Sequence, residues 1–143
     1  MTEPRDYYKA TVLRLLGNFQ LLEFGLKAYI GNSYNAIRRS VGGSIHFDYS
    51  RKDVEDFPLE RLLNVFAKLN GNKDLIARLN QLRKDRNHIA HQSLLITFGG
   101  LYDIGAIEDK HIEFSHLEDE VSECLNLVIE EARQLKSHAK SAA

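Results

Sequence analysis

The segment RKDRNHIAHQ at residues 83–92 places a guanidinium, an amide and an imidazole close together along the chain. The His91 imidazole titrates near physiological pH, so it can act as a general acid or base. The planar Arg86 guanidinium can hold two phosphate oxygens and keeps its charge. Asn87 can orient His91 or bind a phosphate oxygen. These side chains suit a phosphodiester cleavage in which an RNA 2′-hydroxyl attacks the adjacent phosphate.

Arg86 also interrupts an apolar pattern. Leucine and isoleucine recur at steps of four, three, seven and seven residues, and position 86 is the missing member of the series: Leu75, Leu79, Leu82, Ile89 and Ile96. A guanidinium in such a stripe is costly to bury unless it is paired or hydrogen-bonded. Arg86 is therefore expected to have a partner, to face a cleft or to lie at a subunit interface.

A carboxylate interrupts the apolar pattern of the first helix in the same way. Glu23 lies within the stripe that Phe19, Leu22, Leu26 and Ile30 form. One acid and one base in two packed stripes predict an ion pair, so Glu23 is expected to reach Arg86 or Arg83. A structural ion pair explains Arg86 as well as catalysis does, because ion-pair networks also place charges in stripes.

The elements that position these residues are predicted to be α-helices. The chain is expected to form an all-α, four- to five-helix up-and-down bundle with a small hairpin or irregular insertion near residues 95–114. The first helix is predicted at 6–30. Gly31–Asn32 is a candidate stop, and continuation of the helix into YNAIRRS at residues 34–40 is left open. Residues 41–57 are predicted to be a loop with room for a short helix. Further helices are predicted after Pro58, from about Lys73 to Ser93, and from a capping box at Ser115 and Glu118.

Length and composition indicate one soluble domain covering residues 1–143. The chain has 143 residues, 27% of them charged, and a formal net charge of −1, so no global field attracts nucleic acid or membrane. Locally, Lys73 to Gln92 carries five cations against two acids, which is a modest nucleic-acid footprint or a solvated helix face. The single cysteine, Cys124, and the lack of an apolar span or signal peptide favour the cytoplasm.

Metal and hydrolase sites were weighed against the same residues. His88 and His91 are three apart, but two ligands are too few for a structural zinc site, so no metal is expected. Glu108-x-x-His111 and Glu113-x-x-His116 match a di-iron spacing that needs continuous helix, and the glycines at 99, 100 and 105 argue against helix there. Ser44 and Ser50 have no evident base.

The stretch Arg86-Asn87-His88-Ile89-Ala90-His91 resembles the HEPN superfamily, whose mark is an Arg, a polar residue and a His after four to six residues. The stretch NFQLLEFGLK, with Glu23, also resembles the first helix of that family. The resemblance implies a homodimer whose motif helices meet across the two-fold axis. It further implies a metal-independent endoribonuclease without cofactor, in a toxin–antitoxin or phage-defence system with a possible partner protein. Ser93 stands where members partnered with a nucleotidyltransferase carry Tyr, which puts that partnership in doubt.

On this reading Arg86, His91 and Asn87 are catalytic, Glu23 and Arg83 support them, and Lys84 and His88 bind RNA. Five helical steps separate Arg86 from His91 by about 140° around the helix axis. Arg86 and His91 of one chain are therefore poorly placed to contact the same phosphate. Two chains whose helices cross at the motif could bring Arg86 of one close to His91 of the other. The alternative is a non-catalytic helical binding or dimerisation module.

Overall fold

The computed structural model is all-helical in the part that it describes, namely the backbone of residues 4–98 and 104–141 and the side chains of residues 9–89 and 113–136. The elements are four α-helices and a short 3-10 helix, in the order α1 (Pro4–Val41), 3-10 helix (Arg51–Val54), α2 (Leu59–Leu69), α3 (Lys73–Phe98) and α4 (Ile104–Ser141). The predicted helical bundle is confirmed.

The core lies between the apolar stripes of the four helices. On α1, Leu15, Leu22, Leu26 and Ile30 are fully buried, and their spacing of seven, four and four keeps them on one face. They meet the stripe of α4, whose fully buried members are Phe114, Val121, Cys124 and Val128. Each fully buried leucine stabilises the fold by about 1.5–3 kcal/mol relative to an exposed one.

The candidate stop of the first helix at Gly31–Asn32 is wrong, and the helix continues through the segment that the sequence left open, to Val41. Gly31 is buried, and a Cβ atom placed on it would lie 2.9 Å from Cβ of Arg51. The glycine therefore serves close packing of the 3-10 helix against α1 and does not end the helix. The helix ends ten residues later, where Gly42 adopts a left-handed φ of 56°.

The connection between α1 and the 3-10 helix turns back and runs along the surface of α1. The ring of Tyr34 packs on the rings of Phe47 and Tyr49 at centroid distances of 5.9 and 5.7 Å. The 3-10 helix then lies against Gly31, one turn nearer the start of α1. Because the chain reverses here before α2 begins, α1 and α2 point the same way, and strict up-and-down alternation holds only from α2 to α4.

Ion pairs show how the remaining helices run. Arg14 of α1 pairs with Glu118 of α4, and Gly25 lies against Leu125, so these two long helices are parallel. Asn72, directly before α3, and Arg78 of α3 contact Glu131 and Glu120 of α4 in the opposite order, so α3 is antiparallel to α4.

Asparagines build the predicted break between α2 and α3. The Asn70 backbone caps the end of α2, and its buried amide donates to Tyr29 Oη at 3.0 Å and to Glu131 Oε2 at 3.1 Å. Asn72 Oδ1 accepts a hydrogen bond from the Leu75 amide at the start of α3, as an N-cap does. This turn therefore fixes the position at which α3 begins after α2, and with it the position of the motif on α3.

The hairpin or irregular insertion expected near residues 95–114 is wrong for residues 95–98 and 104–114, which belong to α3 and α4; residues 99–103 lie outside the described part. The apolar period of the last helix extends back from Leu117 to Phe114 and Ile107, and Phe114 is fully buried. That period favours helix over the alternation read from the sequence. The capping box at Ser115 is likewise replaced by an interior helical position. None of the described helices is both long and apolar enough to span a membrane.

Candidate functional site

Arg86 occupies the apolar stripe of α3 that the sequence predicts. Leu75, Leu79, Leu82 and Ile89 are all at most 2% exposed, whereas the Arg86 side chain is 38% exposed. Arg86 thus lies at an edge of the core, with part of its side chain exposed although its Nε atom is buried. The side chains of Ala90, His91 and Ile96 lie outside the described part.

The predicted ion pair between α1 and α3 is confirmed in a loose form. Arg86 Nη2 lies 3.9 Å from Glu23 Oε1, which is within ion-pair range and beyond hydrogen-bond range. The Glu23 side chain is 20% exposed. A long single contact between partly solvated groups stabilises the fold by at most about 1 kcal/mol. Glu23 therefore neutralises Arg86 without using the guanidinium's directional hydrogen bonds.

Arg83 lies one turn before Arg86 and reaches a different helix. Its Nη1 atom is 3.3 Å from Glu60 Oε1 of α2. The Nε atoms of both Arg83 and Arg86 are buried and have no hydrogen-bond partner among the described residues. Two guanidiniums three residues apart on one helix face are neighbours. The seam between α1, α2 and α3 therefore carries two cations whose Nε donors are not used by the described residues.

The other predicted site residues lie on a different face of α3. Asn87, Lys84 and His88 are exposed, and helix geometry puts them about 100°, 160° and 160° from Arg86. Position 91 belongs to α3 and lies about 140° from Arg86. Within one chain the structure thus gathers Arg86, Arg83 and Glu23 and separates them from Asn87, Lys84 and His88.

The basic character of residues 73–92 is largely balanced by other helices. Arg78, Arg83 and Arg86 each face a carboxylate of α4, α2 or α1, whereas Lys73 and Lys84 are exposed. The local excess of charge is therefore smaller in the fold than along the sequence, and it offers less long-range attraction for nucleic acid.

The strongest polar cluster was not predicted from the sequence. Arg78 Nε and Nη2 donate to the two oxygens of Glu120 at 2.7 and 3.0 Å, and Nη2 also pairs with Glu123 at 3.2 Å. The Arg78 hydrogen bond holds the pKa of Glu120 below its usual value. The buried Cys124 thiol donates to Glu120 at 3.3 Å, and burial raises its pKa to about 12. The only feature of the sequence that could have indicated this cluster is the i, i+4 spacing of Glu120 and Cys124.

Metal ligands do not assemble in the described part of the chain, which contains no group of three or more His, Cys, Asp or Glu side chains able to hold an ion. Residues 104–141 form continuous helix, so the glycines do not exclude the di-iron spacing as the sequence suggested. Glu113 and His116 are both exposed there, and the side chains of Glu108 and His111 lie outside the described part.

Comparison of the chain with protein-family models, with curated proteins and with solved structures finds no match. The HEPN resemblance therefore rests on the residues quoted above.

Proposed function

We propose that this protein is a metal-independent endoribonuclease that works as a homodimer, with a composite site built from Arg86 and His91. The observation that carries the proposal is the state of Arg86. It stands in an apolar stripe with 38% of its side chain exposed, and among the described residues it has one ion-pair contact, at 3.9 Å, and a buried Nε without a hydrogen-bond partner. A guanidinium kept for packing would be expected to make the short contacts that Arg78 makes.

The reaction needs two groups. His91 takes the proton of an RNA 2′-hydroxyl, whose oxygen then attacks the adjacent phosphorus. Arg86 stabilises the charge that develops on the phosphorane oxygens. The bond from phosphorus to the 5′-oxygen breaks, and that oxygen takes up a proton. The products are a 2′,3′-cyclic phosphate and a 5′-hydroxyl. Asn87 orients His91 or binds a phosphate oxygen, Glu23 and Arg83 position Arg86, and Lys84 and His88 bind the RNA strand.

Helix geometry supports the proposal of a second copy. Arg86 and position 91 lie about 140° apart on α3 and about 7.5 Å apart along its axis. In a two-fold dimer whose α3 helices cross at the motif, Arg86 of one protomer can approach the partner's His91. The resemblance to HEPN proteins supports the same arrangement, and it supports a role in a toxin–antitoxin or phage-defence system.

The alternative is a non-catalytic helical module that binds a partner or dimerises. One observation favours it: Arg83 and Arg86 tie α3 to α2 and α1 through Glu60 and Glu23, as structural pairs do. On this view the motif is part of the scaffold and cleaves nothing.

The two functions are separated by incubating a labelled RNA with the protein in EDTA. Wild type is expected to produce 2′,3′-cyclic phosphate ends, and His91→Ala is expected to produce none while keeping its helical circular dichroism. His116→Ala, at an exposed histidine of α4, is the matched control and should cleave as wild type does. A substrate with a 2′-deoxy sugar at the cleaved position should resist. Cleavage by neither wild type nor variants would favour the scaffold.

The composite site has its own test. Arg86→Ala and His91→Ala are purified separately, shown to be inactive and mixed. A heterodimer of the two variants keeps one intact site only if Arg86 and His91 come from different chains, so an equal mixture should recover about a quarter of wild-type activity. Mixed protein that stays inactive after verified subunit exchange would contradict the composite site.

A further inference from the structure

An open apolar groove lies between α1 and α4. Its volume is about 430 Å³, and its walls include Leu21 and Phe24 of α1 and Leu125 and Ile129 of α4. Leu21 and Phe24 are 56% and 60% exposed, although both are large and apolar. Exposed apolar side chains that line a common groove are typical of a binding surface. The groove lies about 100° to 180° around α1 from Glu23, so it is separate from the Arg86 site.

The shape of the groove fits a helix. Its lining residues on α1 include positions 21, 25, 28 and 32, and those on α4 include 125, 129, 132 and 136. Both sets have the spacing four, three, four, so the groove follows the two parallel helices for about 16 Å. Gly25, Ala28 and Ala132 keep it open. No strand edge occurs in the described part of the chain, so an amphipathic helix is the segment that this surface can accept.

Cations collect at one end of the groove. Arg133 and Lys136 line it on the α4 side. An adjoining hollow of about 300 Å³, which shares Ala28 and Asn32 with the groove, is lined by Arg51 and Lys52. Among the residues that the structure describes, no acidic residue lines either space. The contacts of Arg51 with Glu55 and of Arg133 with Glu130 are exposed pairs close in sequence, which hold the cations only weakly. The Arg51 guanidinium also lies 4.7 Å over the centroid of the Phe24 ring, so it already borders the apolar wall of the groove.

We infer that this groove is a docking site for an acidic amphipathic helix of a partner protein. The apolar ridge of that helix packs between Phe24 and Ile129, and its carboxylates meet Arg133, Lys136, Arg51 and Lys52. Charge complementarity favours such a partner over a second copy of this chain, because a second copy of the groove would add cations and no acids. The inference does not depend on the ribonuclease activity.

The test uses a labelled 18-residue amphipathic helical peptide with leucine on one face and glutamate at the polar positions. Two matched peptides replace glutamate with lysine or leucine with serine. By fluorescence anisotropy the glutamate peptide should bind with a dissociation constant of about 1–100 µM, and both control peptides at least about tenfold more weakly.

Variants locate the binding. Phe24→Ser should weaken the glutamate peptide at least about tenfold, whereas Leu13→Ser, at a 70% exposed leucine of α1 outside the groove, should not change it. The double variant Arg133→Glu with Lys136→Glu should reverse the preference toward the lysine peptide. Each altered side chain is exposed, and thermal unfolding verifies that each variant folds.

Three results would overturn the inference. One is equal binding of the glutamate and lysine peptides, or no binding of either. Another is an equal loss in Leu13→Ser and Phe24→Ser. The third is self-association, measured by sedimentation without peptide, that Phe24→Ser abolishes, since that would assign the groove to a second copy.

Discussion

Helix α3 carries two arginines that face acids of other helices in different ways. Arg78 makes a bidentate pair with Glu120 at 2.7 and 3.0 Å and a further contact with Glu123. Arg86 makes one contact with Glu23 at 3.9 Å and leaves a buried Nε without a described partner. The two side chains are similarly exposed, at 34% and 38%. Burial therefore does not explain why the two arginines contact their acids differently. The explanation is the position of each arginine relative to its acid.

The difference in hydrogen bonding distinguishes an arginine that stabilises the fold from one that can bind a ligand. A guanidinium whose donors are already matched to a carboxylate gives up those hydrogen bonds if it binds a ligand. One held by a single long contact gives up little, and its free donors can match phosphate oxygens. Arg78 is thus expected to matter for stability and Arg86 for binding and catalysis. Variants of the two positions test whether this division holds.

The largest expected effect is on cleavage. Arg86→Ala should lower the single-turnover rate of RNA cleavage at least about 100-fold, because it removes a cation from the developing phosphorane. Arg86→Lys should recover part of the rate, since it restores charge without the planar fork. Arg78→Ala is the matched control on the same helix and should stay within about threefold of wild type. Equal losses at both positions would break the distinction between them.

The next effect is on stability and has the opposite pattern. Arg78→Ala should lower the free energy of unfolding by about 1 kcal/mol, a value kept small because solvent screens this partly exposed pair. Arg86→Ala should change the same quantity by less than about 0.5 kcal/mol. Urea unfolding followed by circular dichroism measures both. A larger loss for Arg86→Ala than for Arg78→Ala would show that the long pair is the structural one.

A smaller effect should appear when the charges in the seam are removed together. The double variant Arg86→Leu with Glu23→Gln completes the apolar stripe between Leu82 and Ile89 and leaves no unpaired carboxylate. It should raise the free energy of unfolding by about 0.5 kcal/mol while abolishing cleavage, because partly buried pairs are often less stabilising than apolar packing. The corresponding variant Arg78→Leu with Glu120→Gln should not be more stable than wild type. Urea unfolding again provides the measurement.

The sequence predicted those features of the two arginine sites that depend on the helical spacing of apolar residues. The apolar stripe of α3 and the position of Glu23 on α1 follow from residue spacing. The same spacing predicted the contact between Glu23 and Arg86. The Arg78–Glu120 pair joins residues 42 apart and depends on how α3 crosses α4, which no local pattern encodes. Several acids of α4 could have been its partner.

Local signals failed where tertiary packing decided the structure. Gly31 was read as a helix stop, yet its small size admits Arg51 of the 3-10 helix. The alternating β-branched and aromatic residues before Phe114, with glycines among them, predict a hairpin or an irregular insertion, yet Phe114 is buried within a continuous helix. The apolar groove was missed because Leu21 and Phe24 look like ordinary helix residues until their neighbours are known.

The smallest expected effect is the pH dependence of the Arg78 pair. Arg78 holds the pKa of Glu120 below its ordinary value of 4.5, so the folded state favours the ionised carboxylate. The contribution is present above about pH 4.5 and is lost as the pH falls through the lowered pKa, where Glu120 protonates in the folded state also. The stability difference between wild type and Arg78→Ala should therefore be constant from pH 7 to about 5 and should shrink below it. Urea unfolding across that range measures the difference, with Lys84→Ala as a control that leaves the cluster intact. A difference that stays constant down to about pH 3 would mean that Arg78 stabilises α3 through packing of its stem and not through the Glu120 carboxylate, and the contrast with Arg86 would lose its electrostatic basis.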